Sequence, residues 1–592
     1  MMAHIIKLSV IIALILSSCR NNAIDEPEIT IPELQQHINY LASDKMQGRY
    51  PGTGGDLESA GYIRDELASW GLLPAFDNGL QAFEIVTSLE AGENNKLIIS
   101  GDTVKSDDFM ALAFSASGAH KSSVVFAGYG FDIESDTLNW DDYANTDIGG
   151  KWLMILRGDP EIDNASSDFA RVSGDRYKVM MAKDRGAAGV ILVSGNEYDA
   201  SDEFEPLAKG EFSTGIPVFR IKRKTADLVL GNSGYDIIAL EKKLNETYTP
   251  FSFELDCVVE AEAELLDQKV TTYNVAMILP GNDPALRDEY IIVGGHYDHL
   301  GLGGPGTSSR AIDTTGVHYG ADDNASGIAS MLELAEKFAA GNINKRSIIF
   351  AAFGAEEMGL LGSKHLASHL PVQADKVNAM INLDMVGRLN ENRLLQIGGT
   401  GTAGEFNNII ESCIDTTVFR PALSEEGYGP SDHSSFYGKN IPVLYFSTGA
   451  HLDYHTPYDS PGKINYEGLA DVSELVYTIS KELAGGNKKL VFTEAGKKIQ
   501  SHRGGRGKSV TLGIMPDFAG NIKNGLRADF VSPGKPADLG GMKKGDIITA
   551  INGKEINNIQ DYMFRLSKLK QGETIQVEIM RGDKKELLLI AL

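Results

Sequence analysis

The sequence predicts an α/β fold in which a mostly parallel sheet is covered by helices on both faces. Between residues 270 and 485, apolar runs rich in β-branched residues alternate with helical segments, as in βαβ units. The last of these segments is an amphipathic helix that ends at a pair of glycines. The predicted strands are 270–281, 290–294, 347–353, 377–383, 394–397 and 442–446, and the predicted helices are 326–340, 403–413 and 466–483.

Two helices and a glycine-rich loop precede this sheet. Leu34, Ile38 and Leu41 follow helical spacing, residues 48–56 (GRYPGTGGD) predict a loop, and a second helix stops at Gly71. We therefore predict that residues 29–114 are the first part, and residues 265–485 the main part, of one discontinuous domain.

Residues 115–255 predict an inserted, β-rich domain. Short apolar strands at 124–130, 151–159, 186–195 and 215–221 are separated by Gly, Asp and Asn turns. The segment has no cluster of His, Cys or paired carboxylates, so we expect an insertion that shapes access to a site elsewhere.

A third domain is predicted at the end of the chain. Residues 486–507 are basic and glycine-rich and predict a linker. Residues 508–592 predict strands, a helix and a terminal hairpin.

Length and charge limit the possible functions. A chain of 592 residues is too long for one compact core. Its net charge of −26 argues against a nucleic-acid partner, which requires a basic face. The excess of carboxylates lies before residue 508, where they could serve a metal cation or an amine.

The N-terminus predicts a targeting segment followed by a short tether at 20–28. Lys7 precedes an apolar run at 8–16 that is too short to span a bilayer. Residues 16–19 (LSSC) resemble a bacterial lipobox, which implies export and lipidation of Cys19, with residues 1–19 as the signal. We therefore expect a lipid-anchored protein of the bacterial cell envelope; the alternative is a cleaved signal with an incidental cysteine.

Candidate metal ligands follow the predicted strands. His296 and Asp298 come after the strand at 290–294 and alternate, so their side chains can point the same way. A metal-bound histidine commonly donates its second ring N–H to a carboxylate, and Asp298 is placed for that role. Asp384 lies in an apolar strand, where a charge is costly unless it is paired or binds metal. His455 follows the last strand.

Two pairs of adjacent acids leave alternatives open. Asp322 and Asp323 precede a helix and could be capping residues. Glu356 and Glu357 could be solvated surface charges, but they follow a buried strand at the edge where open α/β sheets bind ligands. Imidazole and carboxylate ligands without thiolate favour a catalytic zinc-like site. Because two histidines and three carboxylates exceed the needs of one tetrahedral ion, two ions that share a carboxylate fit better.

The same segments resemble the M28 family of zinc aminopeptidases. The resemblance lies in GRYPGTGGD, HYDHL, GADDNASG, GAEEMGLLGS, NLDMVGR and YHTPYDS, in this order. It implies two Zn²⁺ ions, one held by His296, Asp323 and Asp384 and the other by Asp323, Glu357 and His455. It also implies that Asp298 orients the first histidine, that Glu356 is the general acid/base, and that Asp322 is not a ligand.

The resemblance implies an aminopeptidase that removes N-terminal residues from peptides. A water held between the ions would attack the scissile carbonyl while Glu356 takes its proton. Tyr454 is a candidate donor to the oxyanion. The alternatives are a non-catalytic peptide-binding protein of the cell envelope, a carboxypeptidase and a glutaminyl cyclase on the same scaffold.

The two accessory domains carry resemblances of their own. Residues 115–255 resemble a protease-associated (PA) domain, and SPGKPADLGGMKKGDIITAINGKEI resembles a PDZ domain. This second resemblance implies a carboxylate-binding loop at Leu512, Gly513 and Ile514, which captures the C-terminus of an extended peptide by strand addition.

Overall fold

A computed structural model describes residues 28–135, 137–164, 166–207, 212–304, 307–311, 313–495, 510–517 and 524–592. The predicted signal, Cys19 and most of the predicted linker lie outside these ranges. The described chain divides into two compact units. The first contains the described residues up to Phe83 and those from Thr271 to 495; the second contains Glu84–Val270 and the described residues after 509.

The first unit is built around the predicted α/β sheet, whose centre is parallel as predicted and whose outer pairs include antiparallel ones. The strands Ser347–Phe353, Tyr290–His296, Val377–Leu383 and Val443–Ser447 are neighbours in that order and run parallel. The strands around this centre are Leu73–Pro74, Leu80–Ala91, Leu265–Leu279, Leu394–Gly398 and Arg420–Leu423.

Helices cover both faces of this sheet. Along one central strand, Ile291 and Val293 pack into the core on one side, whereas Ile292 packs into the core on the other. Residues that alternate along a strand point to opposite faces, so the continuous apolar run reflects burial on both faces. The helices of this unit are Ile31–Leu41, Gly54–Ser69, Gly327–Gly341, Leu361–Ser368, Phe406–Cys413, His433–Tyr437 and Tyr466–Gly485.

Local capping explains where several helices begin. The Thr30 and Thr53 side chains accept the main-chain N–H of Glu33 and Asp56, one turn into the two N-terminal helices. Asn465 accepts the N–H of Gly468 at 3.0 Å and starts the last long helix. Each cap satisfies an N–H that has no partner within its helix.

The β-rich part of the second unit begins earlier in the chain than the boundary predicted at residue 115. Its eight-stranded sheet has a parallel centre, formed by Gly118–Ala127, Trp152–Leu156, Gly189–Val193 and Val218–Ile221. The flanking strands are Lys96–Ile99, Asp102–Thr103, Phe109–Ala111 and Ser252–Ala263, a separate hairpin joins Asp132–Glu134 to Asn139–Asp141, and the helices are Asp175–Asp184, Arg223–Leu230 and Ile237–Thr247.

The C-terminal part of the second unit has its own antiparallel sheet and core. Leu512 is buried in this core, its carbonyl accepts the N–H of Ala537, and Gly513 has a φ of 76°. The strands are Ile514–Pro516, Leu526–Val531, Ile547–Ile551, Lys554–Glu555, Thr574–Arg581 and Lys584–Ala591, and the helices are Pro536–Leu539 and Ile559–Ser567.

Within the second unit, the C-terminal helix packs against the β-rich part. Phe564 lies against Met180 and Met181 and meets the Tyr177 ring edge-on at 5.0 Å. Arg565, the next residue, forms an ion pair with Asp184 of the β-rich part. The domain predicted beyond the linker therefore docks through one face of this helix.

Membrane-spanning helices and disulfides are absent from the described residues. Every described helix is too short or too polar to cross a bilayer. Cys257 and Cys413 are free thiols, the first buried and the second half-buried.

Candidate metal centre

The candidate site lies at the carboxyl ends of the parallel strands, where His296 ends its strand and Asp384 directly follows another. Nε2 of His296 lies 3.5 Å from Oδ1 of Asp384 and 3.2 Å from Oδ1 of Asp323. Burial lowers the pKa of His296, but the surrounding carboxylates, led by Glu356, outweigh it and raise that pKa well above the usual value. The structure thus brings three predicted ligands together.

Asp323 lies between two histidines. Its second oxygen, Oδ2, is 3.3 Å from Nε2 of His455, and the same nitrogen is 3.1 Å from Oε2 of Glu357. Burial would lower the pKa of His455, but Asp323 and Glu357 raise it to about 10. The two oxygens of one carboxylate therefore face two separate groups of donors, as a bridging ligand requires.

These distances fit shared metal ions. Two ligand atoms at about 2.0–2.1 Å from one tetrahedral zinc ion are about 3.3 Å apart. The four donor distances above, from 3.1 to 3.5 Å, lie close to this value. Nε2 of His455 is also buried without a hydrogen-bond partner. The residues present thus fit bound zinc.

Asp298 is fully buried beside this group, but its carboxylate binds main-chain amides. It accepts the N–H of Glu356 at 2.9 Å and that of Glu357 at 3.3 Å. Nδ1 of His296 lies 3.2 Å from the main-chain carbonyl oxygen of Asp298 and 3.8 Å from its carboxylate. The predicted contact between the Asp298 carboxylate and His296 is therefore longer than a hydrogen bond. The residue orients the ring through its main-chain carbonyl instead.

Glu356 lies beside His296 and a carboxylate that the sequence did not single out as part of the site, Asp432. Burial raises the pKa of Glu356 well above its usual value; His296 opposes this shift, and Asp432 adds to it. Asp432 itself is fully buried, and burial raises its pKa to about 7. No strand-end pattern in the sequence marks Asp432 as a site residue.

Asp322 and Asp323 have different surroundings despite being neighbours. Oδ1 of Asp322 accepts the N–H of Gly387 at 2.6 Å and the hydroxyl of Ser326 at 3.0 Å. Oδ2 of Asp459 accepts the N–H groups of Asp322 at 2.9 Å and of Asp323 at 3.1 Å. The side chain of Asp322 therefore hydrogen-bonds to the loop at Gly387. Asp459 fixes the main chain at Asp322 and Asp323 through the two N–H groups.

The N-terminal loop is joined to this site by Arg49, which is fully buried. Its guanidinium donates to the carbonyls of Tyr297, Tyr319 and Gly320 at 2.6, 2.7 and 2.9 Å. These carbonyls flank the segments that carry His296 and Asp323. The conformation of both segments therefore depends on Arg49.

Two further side chains, Tyr454 and His299, lie next to His455. The Tyr454 ring stacks on His455 with centroids 3.8 Å apart, and the site carboxylates contribute, after burial, to a raised Tyr454 pKa. Nδ1 of His299 lies 2.8 Å from Oε1 of Glu357. His299 was missed in the sequence, although it stands in the HYDHL motif, because its contact depends on how the chain turns after the strand.

Family comparisons agree with the domain order. Residues 274–480 match the model of peptidase family M28, residues 120–229 that of the PA domain and residues 510–592 that of the PDZ domain. An aminopeptidase of Pseudomonas aeruginosa is 30% identical over 393 residues, which cover 61% of this chain and 63% of the relative. Aminopeptidase YwaD of Bacillus subtilis is 35% identical over 188 residues, 30% of this chain and 40% of the relative.

One more curated relative and one solved structure are also similar to this chain. A protein of Pyrenophora tritici-repentis named "Probable zinc metalloprotease" is 44% identical over 113 residues, 19% of this chain and 24% of the relative. The solved aminopeptidase of Aneurinibacillus sp. strain AM-1 superposes with a TM-score of 0.46 at 21% identity, over 80% of this chain and 97% of that one. The chain spans less than two thirds of each of the three curated relatives. From the matching models we conclude that the chain carries a peptidase family M28 domain, accompanied by a PA domain and a PDZ domain.

Proposed function

We propose that this protein is a zinc-dependent aminopeptidase with two metal ions in its site. The observation that carries the proposal is the position of Asp323, with one oxygen facing His296 and the other facing His455. Asp384 would complete the first set of ligands, and Glu357 the second. Zinc bound there would lower the pKa of a water molecule and polarise the peptide carbonyl.

Glu356 would act as the general base. Its main chain is fixed by the Asp298 carboxylate, and its side chain lies among the ligand carboxylates and His296. It would take a proton from the attacking water and deliver one to the departing amine. Tyr454, stacked on His455, would donate a hydrogen bond to the oxyanion.

Aminopeptidase rather than carboxypeptidase activity is supported by two of the relatives, which are both named aminopeptidases. The carboxylates of Asp323, Glu356, Glu357 and Asp384 surround two histidines, and two zinc ions would balance their charge.

The test is cleavage of a set of peptides with free or acetylated N-termini, with zinc quantified in the same samples. We expect release of the N-terminal residue, loss of cleavage on acetylation, and about two zinc ions per chain. Release from the C-terminus would indicate a carboxypeptidase. Cyclisation of N-terminal glutamine with one zinc would indicate a glutaminyl cyclase, and bound peptide without any product would indicate a peptide-binding protein.

We also propose a role for each end of the chain. Lipidation of Cys19 would anchor an exported protein in the bacterial cell envelope; residues 7–19 support this, and metabolic labelling of wild type and Cys19→Ala with a fatty acid tests it. The loop formed by Leu512, Gly513 and Ile514 would receive the C-terminus of a peptide. Its position beside the edge strand Ile514–Pro516 supports strand addition.

A further inference from the structure

We propose that His299 is a positioning residue of the metal centre, which holds Glu357 so that one carboxylate oxygen is directed at the second ion. The inference rests on the proposed function, since it assigns a role within the same site. In this assignment Nδ1 of His299 donates a hydrogen bond to Oε1 of Glu357. Oε2 of Glu357 then remains for the ion that His455 and Asp323 share.

The distances from Nδ1 of His299 to the neighbouring carboxylates fit a hydrogen-bond donor to Glu357 better than a metal ligand. Nδ1 of His299 is 2.8 Å from Oε1 of Glu357, which is a hydrogen-bond distance. Two donors on one tetrahedral zinc ion are about 3.3 Å apart, so this pair is too close to share an ion. Nδ1 is also 3.8 Å from Oδ2 of Asp323, farther than the donor pairs that do fit a shared ion.

The two oxygens of Glu357 have different partners. Oε2 lies 3.1 Å from Nε2 of His455, on the side of the Asp323 carboxylate, whereas Oε1 faces His299. A carboxylate that is held at one oxygen by an imidazole N–H offers the other oxygen in a fixed direction. Such support of a ligand by an outer residue typically contributes about 10–100-fold to metal affinity.

His299 is well placed to hold a carboxylate because its own position is fixed. The residue is fully buried, and its main-chain N–H donates to the carbonyl of Arg49 at 3.2 Å. Its ring packs on Gly320, where an added Cβ would lie 2.6 Å from Cγ of His299. Both ring nitrogens and Oε1 of Glu357 are buried, and Nδ1 is nearer to Oε1 of Glu357, at 2.8 Å, than to Oδ2 of Asp323, at 3.8 Å. The carboxylate of Glu357 is therefore the nearer of the two acidic partners of the ring.

Three substitutions test the inference. In His299→Asn the amide nitrogen lies close to the position of Nδ1 and can still reach Glu357, whereas the amide of His299→Gln lies near Nε2, and His299→Ala offers no donor. We expect zinc affinity, measured by competition with a chelator, to fall by about 10–100-fold in the Ala and Gln variants and by less than about threefold in Asn. His318→Asn is the matched control, because His318 is also buried but binds Ser309 and the Gly316 carbonyl.

X-ray absorption at saturating zinc then separates positioning from ligation. If His299 positions Glu357, the number of imidazoles per zinc is the same in wild type and His299→Ala. A lower number in the variant, or an unchanged zinc affinity, would overturn the inference. Wild type that binds no zinc, or that binds zinc without cleaving free-amine peptides, would instead contradict the proposed function.

Discussion

Oδ1 of Asp298 accepts the main-chain N–H of Glu356 at 2.9 Å. Because Oδ2 accepts the next N–H, that of Glu357, one buried carboxylate fixes the main chain of both glutamates. The strand that carries His296 is thereby tied to the loop that carries the proposed base. The hydrogen bond links two segments that are 58 residues apart in the chain.

Replacing Asp298 should therefore misplace Glu356. We expect Asp298→Ala to lower kcat by about 10–100-fold, because catalysis depends on sub-ångström placement of the base. Asp298→Asn should lower kcat by a smaller factor, since the side-chain oxygen of the asparagine can still accept one of the two N–H groups. In a double-mutant cycle with Glu356→Gln, the Ala substitution should have little further effect on kcat. Equal losses in both backgrounds would show that Asp298 acts independently of Glu356.

Glu356→Gln should separate catalysis from metal binding. The amide cannot take a proton, so we expect kcat to fall by about 10²–10⁴-fold while zinc content is retained. Glu357→Gln, the matched change one residue later, should instead lose zinc, because its carboxylate faces His455. Near-normal turnover of Glu356→Gln would remove Glu356 from the mechanism.

The central strands and their order along the chain could be predicted because each of them is rich in apolar residues. The ligand candidates could be predicted because parallel strands end at one edge, where His296 and Asp384 come together. Choosing Asp323 over Asp322, or Glu356 over Glu357, required the family resemblance. Spacing alone does not distinguish adjacent acids.

Other features could not be predicted because they depend on contacts between distant segments. Asp459 supports the main chain of Asp323 from a loop 136 residues later. The strand Lys96–Ile99 is only four residues long, so the beginning of the β-rich sheet was placed too late. The docking of Phe564 on Met180 and Met181 joins segments that lie in different predicted domains.

Asp322 and Asp323 provide a direct test of the bridging position. Asp323→Asn should reduce zinc affinity by more than about 100-fold, because an amide replaces the carboxylate that faces both histidines. Asp322→Asn keeps an oxygen for the N–H of Gly387, so zinc content should be normal and stability should fall by about 1 kcal/mol. Zinc titration and thermal unfolding measure the two effects. The opposite pattern would make Asp322 the ligand.

Asp142 should make the stability of the second unit depend on pH. The residue is buried, with Oδ2 accepting the N–H of Phe131 at 3.0 Å and Oδ1 without a hydrogen-bond partner. Burial raises its pKa to about 7 from the ordinary value of 3.8. The folded state thus retains a proton that the unfolded state has released, so stability falls as pH rises from about 4 to about 7.

Asp142→Asn, which is neutral at every pH, should remove this dependence. We expect the free energy of unfolding of the variant to exceed that of wild type by up to about 4 kcal/mol above pH 7. This difference should decrease to zero towards pH 4. Tryptophan fluorescence can follow the transition, because Trp140 and Trp152 are buried in this unit. Lys178 has a pKa lowered to about 7, chiefly by burial, so its own contribution changes above that pH. Burial also raises the pKa of Glu241 and of Asp561 in this unit, so the difference between the two proteins, not the wild-type curve alone, reports on Asp142. Parallel stability curves for the two proteins would show that Asp142 is ionised in the fold.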